Sequence, residues 1–144
     1  MSQIKNTAGY SLVELMVTVA VVAVITAIAV PAYRGYIKEG HFATMRSTMD
    51  GMRTVVEEFR LENGSYIPGG YGAGSQISNA DITSAFGWQP SGDIGNYLFT
   101  VAVQSNSYDI WGTFSAGDVW VRCDNRFSNC CDSDGGGAAT SACP

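Results

Sequence analysis

From residue 10 to residue 30 nearly every position is Leu, Val, Ile, Ala or Met. The exceptions after Tyr10 are Ser11, Glu14, Thr18 and Thr26, and the three hydroxyls can bond back to helix carbonyls. A bilayer core is crossed by a helix of about 20 such residues, so this run predicts a membrane-spanning helix with one carboxylate near its start. Downstream the pattern changes. Phe42, Met45, Met49, Met52, Val56 and Phe59 recur at steps of three and four, the seam of an amphipathic helix that packs on a partner surface. Arg46, Asp50, Arg53, Glu57 and Arg60 fall off that seam, and Arg53 and Glu57 are spaced to pair. Asn63-Gly64 supplies a C-terminal stop. Pro31 is the expected helix break between the two stretches, and Gly35, Gly40 and Gly51 are further weak points.

Residues 63–96 are rich in Gly, Ser and Asn and carry Tyr66, Tyr71, Phe86 and Trp88. A long loop is predicted there, with Ser78-Asn79 capping one short helix through Ala85. The GGYGAG run is not a phosphate loop, because no Lys follows it and no strand leads into it. Residues 97–103 alternate, with Tyr97, Phe99, Val101 and Val103 on one face. Residues 108–114 and 118–123 read as the next two strands of an antiparallel meander. The fold class is therefore α+β: a long N-terminal helix, its second half packed on an antiparallel sheet of three or four strands.

Charge and cysteine usage narrow the chemistry. The chain has 144 residues, a net charge of −5 and only 15% charged residues, which argues against nucleic acid as a partner. Beyond the apolar run roughly 110 residues remain, enough for one modest domain. Cys123, Cys130, Cys131 and Cys143 all lie near the end, which suggests an oxidising compartment and a disulfide-stapled C-terminal region over 123–143. No C-x-x-C pair exists and the single His41 is far away, so zinc is not indicated. A bond between neighbouring Cys130 and Cys131 would be strained. Two pairings remain open: Cys123–Cys130 with Cys131–Cys143, which we favour slightly, or Cys123–Cys131 with Cys130–Cys143. The bridges would staple a segment containing Gly135-Gly136-Gly137 that cannot hold itself by packing. Asp124, Asp132 and Asp134 raise calcium, but they form only a fragment of a loop motif and solvated acids are the simpler reading. No Ser/His/Asp or Cys/His set appears, His41 has no evident partner, and neither enzyme activity nor a cofactor or metal is expected.

The start of the chain is the most specific part. Residues 1–9, MSQIKNTAG, are polar with one cation, Lys5, which favours a cytoplasmic amino end. A secretory signal cut near Ala27-Ile28-Ala29 is one alternative, but the apolar run is long for it and begins with an acid. A plain single-pass anchor is another. An ionised carboxylate in hydrocarbon costs about 2.5–3.5 kcal/mol on insertion scales, so Glu14 is expected to be paired or functional. Gly9-Tyr10-Ser11-Leu12-Val13-Glu14-Leu15-Met16 resembles the class III signal of type IV pilins and pseudopilins. That signal has a short charged leader ending in Gly, an aromatic residue, and Glu as the fifth residue after the cut. The family usually has Phe where this chain has Tyr10.

The resemblance implies a leader over 1–9, cleavage by prepilin peptidase between Gly9 and Tyr10, and N-methylation of Tyr10. It implies that 10–31 is first a transmembrane helix and then a filament core, and that 32–144 is a globular head. Within the head the expected parts are a helix over 32–62, a loop over 63–96, a sheet over 97–123 and the C-terminal disulfide region. Glu14 is expected to set subunit register against a neighbour's new α-amino group. The implied function is that of a structural subunit, the major pilin, of a type IV pilus used for adhesion, motility or DNA uptake. Its partners would be copies of itself, the peptidase, and the assembly platform and ATPase. It would wait in the cytoplasmic membrane and end in an extracellular filament. A minor pilin shares every motif; a type II secretion pseudopilin often lacks C-terminal disulfides; a membrane-anchored binding module needs neither Gly9 nor Glu14.

Overall fold

The computed structural model describes residues 9–89, 94–115, 119–134 and 143. The expectations for Lys5, Asp118 and Gly135-Gly136-Gly137 fall outside them. The chain divides into two compact units, Met1–Ile37 and Lys38–Pro144. Helix α1 is assigned over Leu12–Asn63, without interruption at Pro31. The helix break expected there is absent. A proline keeps a helical φ and deletes one ladder hydrogen bond, which a long helix tolerates. In the first unit Thr18 Oγ1 donates to the Leu15 carbonyl at 2.8 Å and Thr26 Oγ1 to the Val22 carbonyl at 2.9 Å. These hydroxyls are thus satisfied within the helix while its aliphatic side chains stay exposed.

In the second unit the predicted seam is the core. Phe42, Met45, Met49, Met52 and Val56 of α1 are buried. They pack in one cluster with the inner face of a sheet. The sheet consists of β1 (Gln76–Ser78), β2 (Tyr97–Val103), β3 (Tyr108–Phe114), β4 (Trp120–Asp124) and β5 (Cys130–Asp132), all antiparallel in sequential order. It therefore has five strands rather than three or four. The two additions are three-residue edge strands, too short to show a period-2 pattern. Cross-strand rows build the inner face: Ile77, Val101, Ile110, Cys123 and Cys130 lie in register, as do Phe99, Gly112 and Val121. Gly112 is where the helix and the Phe99 ring come closest. A Cβ there would stand 2.8 Å from Phe99 Cε1 and 3.3 Å from Met45 Cγ.

The loop expected over 63–96 contains β1 and a helix, α2 (Asn79–Phe86). Tyr66, Phe86 and Trp88 from this region enter the core. Ser78 holds the N-cap position, but its side chain makes no cap hydrogen bond. Asn79 instead reaches β2: its amide donates to the Tyr97 carbonyl at 2.9 Å and its Oδ1 accepts the Phe99 N–H at 2.6 Å. One side chain thereby substitutes for the strand partner that β1, ending at Ser78, no longer provides. Gly64 ends α1 as anticipated, with φ 73° and its N–H on the Arg60 carbonyl at 2.7 Å.

A polar cluster sits at the edge of this core. Tyr66 and Tyr108, both 1% exposed, stand edge to face with ring centroids 4.8 Å apart. Both hydroxyls donate to Glu57, Tyr66 at 3.0 Å and Tyr108 at 3.1 Å. Arg60 Nη1 donates to the Tyr66 hydroxyl at 2.9 Å. Glu57 is thus held by tyrosines rather than by Arg53, which lies 4.0 Å from Asp50 and faces the Phe127 ring at 5.2 Å. Part of the outer face of the sheet is buried as well, at β3 and β4: Trp111 is 5% exposed, and Trp120 and Arg122 are 8% exposed. Arg122 donates to Asp109 at 2.8 Å with its guanidinium 5.1 Å from the Trp111 ring centroid.

Two predictions follow from this packing. Gly112→Ala overpacks the contact between Phe99 and Met45 and should destabilise the head by about 1–3 kcal/mol, read from denaturant unfolding of the full chain in detergent. Burial first, and the Glu57 charge second, raise the Tyr108 pKa well above its usual value. The neutral form is therefore favoured by folding. Its contribution is complete below the unfolded value of about 10 and is lost as pH rises from there through the raised folded value. Tyr108→Phe should lower stability at neutral pH by about 1.5–3 kcal/mol and flatten the fall of unfolding free energy above about pH 10.

Candidate functional site

Gly9 and Tyr10 precede the helix and are exposed, Tyr10 by 90%. Ser11 occupies the N-cap position ahead of Leu12, and its carbonyl accepts the Leu15 N–H at 3.1 Å. Its own N–H donates to Glu14 Oε2 at 2.9 Å. This is one half of the S-x-x-E capping box, which satisfies an amide near the helix start and puts the carboxylate at the positive end of the helix dipole. Ser11 was not expected in this role, although the Ser11-x-x-Glu14 spacing carries the signal. The remaining acceptor positions of the carboxylate are open to a cation.

Gly9 is informative for a different reason. A Cβ added to it meets nothing within 4 Å, and its φ is not in the left-handed region. The conformation of the chain does not require glycine there. Gly9 is an exposed, non-helical residue two positions before the Ser11 N-cap.

The cysteines pair as Cys123–Cys130 and Cys131–Cys143. Strand alternation separates the two bridges. Cys123 and Cys130 are register partners in the row that faces the core, whereas Cys131 is the partner of Arg122, on the other face. The acids at the ends of β4 and β5 and just beyond are not simply solvated. Asp132 Oδ2 accepts from Arg46 Nη2 at 3.0 Å and Asp134 pairs with Lys38. Asp124 Oδ1 accepts backbone N–H groups of Arg126 and Ser128, both at 3.2 Å, within the β4–β5 turn. Among the described residues no group of three or more His, Cys, Asp or Glu is placed to hold a metal ion. His41 does have partners, contrary to expectation: its Nδ1 lies 2.8 Å from the Tyr97 hydroxyl and its ring stacks on Phe114 at 4.0 Å. Tyr97 and Phe114 are register partners at the end of the β2–β3 ladder, so His41 pins α1 to the sheet.

Residues 4–30 match the family model described as the prokaryotic N-terminal methylation motif. Prepilin peptidase-dependent protein D of Escherichia coli is 39% identical over 56 residues, 39% of this chain and 38% of that protein. Type IV major pilin protein PilE1 of Neisseria gonorrhoeae is 25% identical over 118 residues, 77% of this chain and 66% of that protein. Type IV major fimbrial protein FimA of Dichelobacter nodosus is 31% identical over 74 residues, 51% of this chain and 45% of that protein.

The chain is thus similar to type IV pilins, through its N-terminal methylation motif and over part of its length.

The matches span less than two thirds of the length of these relatives. No solved structure matches the chain significantly. The motif match covers the residues whose geometry is described above, Gly9 and Glu14 included. Replacing Glu14 by Ala should release the Ser11 N–H and fray the first turn of α1. A lost cap of about 1 kcal/mol corresponds to roughly fivefold faster exchange. The amide protons of residues 11–14 in detergent micelles would show it.

Proposed function

We propose that this chain is a pilin, the major structural subunit of a type IV pilus filament. The observation that carries the reading is the exposed, non-helical Gly9-Tyr10 step set directly before an apolar helix that opens on Glu14. Prepilin peptidase would cut between Gly9 and Tyr10, and methylation would follow on the Tyr10 amine. Cleavage creates the cation that Glu14 lacks. In a filament, Glu14 would exchange its own Ser11 N–H for the Tyr10 amine of a neighbouring copy. A subunit out of axial register would leave both charges buried without a partner, which costs about 3–5 kcal/mol when a buried pair is broken. That penalty selects one stagger between copies, and a repeated heterologous contact yields an open filament.

Residues 10–30 serve first as an anchor in the cytoplasmic membrane and then as the core of the extracellular filament. The helix is long and apolar enough to cross a membrane, with a mean hydropathy of 2.6 over its most apolar window. Assembly energy would come from a platform protein and an ATPase, and the role of the pilin itself is structural. The finished filament would serve adhesion, motility or DNA uptake. The names of the relatives support the major subunit, since two of the three are described as major pilin or fimbrial proteins.

Two substitutions test separate steps. Gly9→Ala should leave the leader attached, seen by mass spectrometry of the amino terminus. Glu14→Ala should be processed yet yield no filaments by electron microscopy. Cleavage of the Gly9→Ala chain, or normal filaments from Glu14→Ala, would overturn the corresponding step.

A further inference from the structure

The apolar run ends at Val30, and the residues that follow on the first unit are of another kind. Tyr33 is 65% exposed and Tyr36 78% exposed, with Arg34 between them and also exposed. Arg34 makes no ion pair among the described residues, whereas Lys38, Arg46, Arg53 and Arg122 each have a carboxylate partner. Ala29, Val30, Tyr33, Arg34 and Ile37 line an open groove of about 730 Å³. These positions recur at steps of one, three and four along the helix, so they share one face. Ala29 is the smallest of the five, and Arg34 is the one cation among them.

We propose that this groove holds an anionic phospholipid of the outer leaflet while the pilin waits in the membrane. The inference rests on the reading that residues 10–30 cross the bilayer. One acyl chain lies along Ala29, Val30 and Ile37. The headgroup phosphate is held by Arg34, whose planar fork suits phosphate oxygens. The Tyr33 and Tyr36 rings sit at headgroup depth, apolar body inward and hydroxyl toward water. Two observations select lipid as the occupant. The groove is continuous with the membrane-crossing run, and its cation makes no ion pair among the described residues. The same contacts fix how deep the helix sits. They also give up their lipid when the subunit leaves, so a lipid must be shed at each addition to the filament.

The test uses the full chain in lipid nanodiscs of equimolar phosphatidylcholine and phosphatidylglycerol, with native mass spectrometry counting lipids retained per ejected chain. The wild-type chain should retain phosphatidylglycerol in preference to phosphatidylcholine. Arg34→Gln should reduce that retention about fivefold, the factor for one basic residue at an anionic surface, and Arg34→Lys should restore most of it. The joint change Tyr33→Ala, Tyr36→Ala should lower retention of both lipids. Arg34 is exposed on a helix, so circular dichroism should show unchanged helix content in its variants. Equal retention by Arg34→Gln overturns the proposal. Ejection of lipid-free dimers also overturns it, since a second copy would then cover the groove. A chain that never enters the discs overturns the membrane reading itself, a failure distinguishable from lipid-bearing discs without selectivity.

Discussion

The contact between the α1 seam and the inner face of the sheet is the interaction on which the head depends. Met45, Met49 and Met52 are fully buried, and they face Phe99, Val101 and Ile110. Methionine is unbranched and fills irregular gaps. This suits a surface made uneven by Gly112, where the Phe99 ring occupies the place of a missing side chain. Once this layer is closed, the other features attach to its rim. His41 fixes one end of the β2–β3 ladder, the Glu57 cluster seals another edge, and Arg53 and Arg46 hold the β4–β5 turn and the chain beyond it. The half of α1 that forms this layer is therefore spoken for, while the described apolar side chains of the first unit are exposed.

That contrast explains which parts of the structure were legible in the sequence. The seam at steps of three and four, the stop at Asn63-Gly64 and the three central strands all have strong periods or strong turn chemistry. The edge strands do not. β1 lies within a stretch whose composition signals a loop, and its pairing depends on β2, which is distant in sequence. Asn79 looked like half of a helix cap, but a strand with unsatisfied backbone groups competed for its amide. His41 seemed isolated because Tyr97 and Phe114 approach it only after the meander folds. The burial of Trp111, Trp120 and Arg122 was equally hidden, since an outward-facing row normally faces water.

The candidate site was legible for the opposite reason. Gly9, Tyr10, Ser11 and Glu14 are contiguous, so no tertiary folding is needed to bring them together. What the structure adds is their local state. Glu14 is not a bare charge on an apolar helix: it already accepts an N–H at the helix start. A carboxylate with one satisfied oxygen costs less to hold in an apolar setting than a free one. It also keeps acceptor capacity in reserve, which the proposed exchange of partners requires.

The two bridges have a consequence for how the head oxidises. Cys130 and Cys131 are neighbours, yet β5 sends one toward the core and the other away from it. Pairing Cys123 with Cys131 would require β5 to slip by one residue. Such a slip would turn Asp132, now held by Arg46, to the opposite side. The strand therefore sorts its own thiols: once β4 and β5 have zipped together, only one connectivity is within reach. Fidelity of cross-linking in this region is thus set by the alternation of a three-residue strand, before any isomerase acts on it.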